Sequence, residues 1–259
     1  MGAKTRLIYN NLWRKSTMGT VGALPFVSSE DPQHPATDTQ IDTLSMYWKA
    51  SSTENTVTIP INQGATPEAI NFVAILGHNI EAAGVVITIE GATDNAFTAG
   101  VVSQVINYNA TNIFQFLNSF TKQYVRIKLV RAAGVFPTLP QIATILCGSY
   151  LEFNRRFAPE YEIGEEDFSG IEYTDSQVLF AQEKQSLNVR RYSYQALNNA
   201  SAAGILDMFD ESKTINAFAL CLDHTAANTN TYWVRNSELN PPVCRSGVWY
   251  WEMVVMEIV

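Results

Sequence analysis

The sequence predicts a mostly β protein: an N-terminal β-sandwich or jelly roll and a smaller C-terminal β domain carrying one short helix. Three observations predict it. From Val57 to Cys147 the chain alternates short apolar runs with Gly, Asn, Thr and Pro, the pattern of strands and turns. Seven such runs, VTIPI, INFVAILG, VVITIEG, VVSQVINY, IFQFL, YVRIKLV and IATILCG, lie in about 90 residues, which suits two packed antiparallel sheets. At 259 residues, 46% apolar and 16% charged, the chain has the length and composition for two folded cores.

Taken in order, residues 1–19 read as an N-terminal arm and residues 20–153 as the sandwich. In YVRIKLV, Tyr124, Arg126 and Lys128 alternate with Val125, Ile127 and Leu129, so one face is predicted dry and the other, with its two cations, solvated. INFVAILG is apolar nearly throughout, as in a strand covered on both sides, and Gly77-His78-Asn79 then turns the chain. Between Glu160 and Asp175 lie seven acidic residues and no basic one. That stretch, within residues 154–177, predicts an acidic linker or exposed loop.

Residues 178–259 read as a β-rich domain, predicted to mediate oligomerisation. Ala202, Ile205, Leu206 and Phe209 fall at helical spacing in a helix over about 200–211, with Ser201 placed to cap it. NAFALCLD, TYWVRN and GVWYWEMVVMEIV return to the strand pattern. In the last, Trp249 and Trp251 share one face and Tyr250 takes the other. With Trp233 they are candidate subunit-interface residues, since Trp and Tyr are enriched at such contacts.

The net charge of −8 argues against a phosphate-binding face, so nucleic acid is not an expected partner. No apolar run is long enough for a membrane span, and no secretion signal opens the chain, so synthesis in the cytoplasm is expected. Cys147, Cys221 and Cys244 are too few and too scattered for a disulfide framework or a zinc site, and buried free thiols are expected.

A series of short motifs carries a resemblance. It comprises Ser28-Ser29-Glu30-Asp31-Pro32, Pro35-Ala36, Asp42, Tyr47-Trp48, Val57-Thr58-Ile59 and Ile75-Leu76-Gly77-His78-Asn79. It continues through Ile87-Thr88-Ile89-Glu90-Gly91-Ala92-Thr93-Asp94 to Tyr124-Val125-Arg126-Ile127-Lys128. Over about residues 20–153 it resembles the discoidin, or coagulation-factor type C, jelly roll, in the version with LGHN found in bacteriophage tail proteins. Residues from about 165 to 259 resemble the partner domain of such proteins, with a tail-tube-like or distal-tail-like fold. The resemblance implies a virion protein of the tail tip or baseplate, homo-oligomeric in a ring or collar, contacting other tail proteins and displaying the jelly roll. The alternative it carries is recognition of host-surface carbohydrate.

The chemistry-bearing residues favour binding over catalysis. His34, His78 and His224 are the chain's three histidines, and none sits in a nucleophile motif; phosphate-loop and metal-binding motifs are missing too. No enzyme activity, cofactor or metal is therefore expected. The acidic stretch offers carboxylates for glycoside hydrolysis, but that chemistry needs two of them held across a cleft. Candidate glycan contacts are Trp48, as an aromatic face beside Tyr47, and the turn residues His78 and Asn79.

Overall fold

The computed structural model describes residues 4–18, 27–81, 84–154, 162–166, 170–173, 179–182, 187–212, 216–238 and 240–258. They form two compact bodies. One comprises Asn10–Tyr150 with His224–Thr231, and the other is built from the described residues of 1–9, 151–223 and 232–259. The first strand, β1 (Arg6–Ile8), belongs to the second body and not to a free arm.

In the first body, helix α1 (Leu12–Lys15) and β2 (Thr17–Met18) precede a 3-10 turn at Ala36–Gln40. The strands β3 (Trp48–Lys49), β4 (Thr56–Asn62), β5 (Ala69–His78), β6 (Val85–Ala92), β7 (Val102–Ile106), β8 (Ile113–Thr121), β9 (Tyr124–Arg131) and β10 (Gln141–Gly148) follow. They make two antiparallel sheets, ordered β3-β10-β5-β8 and β2-β4-β9-β6-β7. The expected sandwich is present. Its core joins Val57, Ile59, Val125, Ile127 and Leu129 of one sheet to Val73, Ile75, Ile145 and Cys147 of the other. Each such side chain contributes about 1.5–3 kcal/mol on burial.

The cations of β9 are not simply solvated. Arg126 Nε donates to Glu90 Oε2 at 2.6 Å and Lys128 Nζ to Glu90 Oε1 at 3.4 Å, which neutralises a carboxylate that is only 7% exposed. The β10 strand is buried on both faces, because α1 and the Ala36–Gln40 turn cover its outer side. Asn11 ties that cover down: its Oδ1 accepts from Trp13 N and Cys147 N, and its Nδ2 donates to Ile145 O. At the open corner two glutamines stand in for ladder bonds. Gln104 exchanges bonds with both backbone groups of Asn118, and Gln115 donates to Val105 O and accepts from Asn107 N.

The second body contains β11 (Leu151–Glu152), β12 (Glu162–Glu166), β13 (Gly170–Tyr173), β14 (Leu179–Gln182), β15 (Leu187–Leu197), helix α2 (Asn199–Ser212), β16 (Phe218–Cys221), β17 (Thr231–Glu238), β18 (Val243–Arg245) and β19 (Val248–Glu257). A helical turn α3 (Ala227–Asn230), between β16 and β17 in the sequence, belongs to the first body and packs there against β8. The main sheet runs β11-β1-β16-β17-β19-β15-β12, with β18 paired to β19. Here the acidic stretch departs from expectation. Glu162–Glu166 is an edge strand paired with β15, and Gly170–Tyr173 pairs with β14; Glu160, Asp167 and Asp175 lie outside the described residues. Backbone pairing needs no apolar side chains, and charge on an edge strand discourages further pairing.

The capping expectation also changes. Ser201 N donates to Asn198 Oδ1 at 2.8 Å, so Asn198 caps α2 and Ser201 lies buried inside its first turn. Tyr192, Tyr194, Ile205, Met208, Phe218, Trp251 and Met253 fill this body's core.

Candidate functional site

Antiparallel pairing gathers the ends of β5, β7 and β9 and the starts of β6, β8 and β10 at one end of the sandwich, where several connecting loops meet. The sequence-predicted glycan residues lie there, and the first of them cannot act as predicted.

Trp48 is fully buried, with its Nε1 donating to Ser29 O at 3.2 Å, so no ring face is left for a sugar. That corrects the expectation, and the cause is the pleat: Trp48 pairs with Ile142 and points into the core. Asn79 is exposed, yet both ends of its amide are engaged. Its Nδ2 donates to Leu139 O and its Oδ1 accepts from Gln141 N at 2.7 Å, fastening the turn to the start of β10. His78 is half-buried, accepts from Ile80 N through Nδ1 and meets the edge of the Tyr108 ring. Burial lowers its pKa, against the opposing effect of a hydrogen bond to the Asn109 backbone.

What the loop end does present is the pair His34 and Tyr47. Their rings stack almost parallel, with centroids 4.3 Å apart and planes 12° apart, and both are half-buried. The scaffold beneath is firm: Asp31 N donates to Lys49 O, Lys49 N to His34 O, and Ala36 N to Glu30 Oε2. Next to Tyr47, Met46 is 43% exposed. Around the pair the polar side chains of Asp31 and Lys49 approach to 3.8 Å. Tyr47 was within reach of sequence reasoning, but nothing in the sequence brings His34, thirteen positions earlier, onto its ring.

Of the four candidate interface aromatics, three are engaged within the chain. Trp233 is 3% exposed, and Trp251 is 3% exposed, with Nε1 donating to Asn240 O and its ring stacked on Tyr194. The half-buried Trp249 donates from Nε1 to Asn199 Oδ1 at 2.8 Å. Tyr250, on the opposite face of β19, is 39% exposed. Cys147 and Cys221 are buried and Cys244 is exposed, and desolvation pushes the Cys147 thiol up to about 12.

Among the described residues, no group of three or more His, Cys, Asp or Glu is placed to hold a metal ion. A half-exposed aromatic face on braced loops, with charged groups beside it, can take up a ring-shaped, hydroxylated ligand; no nucleophile with an adjacent base is evident there.

No family model matches the sequence, and no curated protein does. Similar solved structures include carbohydrate-binding modules. Chitosan-binding module 1 of a chitosanase/glucanase from Paenibacillus sp. IK-5 is 19% identical, with a TM-score of 0.40 over 54% of this chain and 99% of that one. Module 2 of the same enzyme, in complex with chitotriose, is 14% identical, with a TM-score of 0.41 over 54% of this chain and 100% of that one. A family 32 module from C. perfringens, in complex with galactose, is 13% identical, with a TM-score of 0.37 over 57% of this chain and 99% of that one. None of these three is a tail or baseplate protein.

Proposed function

We propose that the protein is a non-catalytic binding protein whose jelly roll recognises carbohydrate at its loop end. The His34–Tyr47 stack carries this reading. An imidazole against one side of the phenol ring fixes its orientation, so the ring meets a ligand with little entropy left to lose. A pyranose offers an apolar face to such a ring and hydroxyls to polar neighbours such as Asp31 and Lys49. The test is a glycan array probed with the full chain and with Tyr47→Ala. Signal on defined glycans that the variant loses supports the reading; a blank array, or binding that Tyr47→Ala leaves unchanged, ends it.

A ring-forming scaffold of a phage tail is the second reading. Of the aromatic residues expected to support it, only Tyr250 is exposed, with Val243 beside it at 49%. Sedimentation of the purified chain separates the two: a mass several times the 28.8 kDa of one chain favours the scaffold, and a monomer favours a binding module.

A further inference from the structure

The outer face of the second body carries a cavity that the jelly-roll reading does not use. Its volume is about 320 Å³, and Ser193, Gln195, Val243, Arg245, Tyr250 and Glu252 are among its lining residues. Strand register puts these six on one face. Gln195 and Val243 flank Tyr250 across the sheet, Ser193 pairs with Glu252, and Arg245 pairs with Val248. Trp251 and Met253, which alternate with Tyr250 and Glu252, point the other way into the core.

Two backbone features shape the cavity. The β15 register slips between Gln195 and Leu197, and the intervening Ala196 has φ 55°, a left-handed conformation costly for a residue with a Cβ. Bulges and strained residues of this kind collect where a side chain is re-aimed, here Gln195 opposite Tyr250. The β18–β19 hairpin closes on Ser246 and Gly247, at φ 50° and 78°, a tight turn that fixes Arg245 at its base.

Charge then selects the ligand. Glu252 Oε1 lies 3.4 Å from Arg191 Nε, so its charge is offset. Arg245 is exposed and has no ion pair or hydrogen bond among the described residues. The cavity therefore offers an uncompensated guanidinium beside an exposed phenol ring, on a chain whose net charge is −8. We infer that this cavity binds a carboxylated saccharide, with its pyranose ring on Tyr250, its carboxylate paired with Arg245 and its hydroxyls bonded to Gln195 and Ser193. This is a second site, apart from the Tyr47 platform, so either can fail without the other.

Calorimetric titration of the full chain with an oligogalacturonate, and with the same oligomer after its carboxyls are reduced to alcohols, tests the inference. Wild type is expected to bind the acid and to bind the reduced oligomer at least about tenfold more weakly. Arg245→Gln, at an exposed position where folding is not at stake, is expected to weaken the acid by at least about tenfold. Tyr250→Phe keeps binding and Tyr250→Ala loses it. Wild type failing to bind the acid, equal affinity for the two oligomers, insensitivity to Arg245→Gln, or equally tight capture of an acidic peptide would each overturn it.

Discussion

Replacing Trp48 with alanine separates a core residue from a ligand-facing one. The indole is fully buried, contributes to the sandwich core and donates from Nε1 to Ser29 O. Truncating a buried aromatic of this size costs about 3–5 kcal/mol, and losing the hydrogen bond adds about 1 kcal/mol. With a urea m-value of about 2 kcal/mol/M, the sandwich should unfold at a urea concentration about 2–3 M lower. Because the chain holds two bodies, the transition is best followed locally, by hydrogen exchange in urea on peptides covering Thr56–Asn62 and Tyr124–Arg131, two paired interior strands of one sheet. A shift below about 0.5 M in those peptides, accompanied by lost glycan binding, would refute the assignment and return Trp48 to the surface.

Other perturbations test other parts of the fold. Asn11→Ala strips partners from Trp13 N, Cys147 N and Ile145 O at once and should cost about 2–4 kcal/mol in urea denaturation, leaving far-UV circular dichroism unchanged in native buffer. Gly77→Ala forces a Cβ to within 2.8 Å of the Ala143 Cβ at φ +59° and should destabilise by about 1–3 kcal/mol on the same assay. The folded pKa of His78 lies below its ordinary 6.5, so the unfolded chain binds more protons there. Its contribution to stability is whole above that value and declines as the pH falls through it; His78→Gln should flatten the fall in Tm between about pH 7.5 and 5.5.

The sandwich was legible because strands such as β9 alternate strictly enough to fix their faces, as Val125, Ile127 and Leu129 show, while runs such as β5 stay apolar nearly throughout. Other parts were not. Three residues, Arg6–Ile8, are too few to show a period, and their partners Leu151–Glu152 and Ala219–Cys221 lie more than 140 positions away. Arg6 and Lys4 both reach Glu152, an ion-pair cluster that no local motif announces. In the acidic stretch, the sign of the charge suggested solvent, and Glu162–Glu166 sits on a sheet edge, where charged residues and regular pairing coexist. At the site the missing link was contact: His34 and Tyr47 are joined by a loop whose course depends on bonds to β3.

The two adjacent aromatic pairs, Tyr47-Trp48 and Tyr250-Trp251, resolve in the same sense. In each the Trp goes inward and the Tyr stays partly exposed. An indole is the larger apolar body, and its single N–H is satisfied by one carbonyl, Ser29 O for Trp48 and Asn240 O for Trp251. A one-residue slip of either strand would exchange the two, placing a phenol hydroxyl in the core and the larger ring in water. The burial that stabilises each body therefore also selects which aromatic remains outside. Both candidate binding surfaces are built on tyrosine for a reason that lies in the core: the neighbouring tryptophan is held there by packing and by its hydrogen bond.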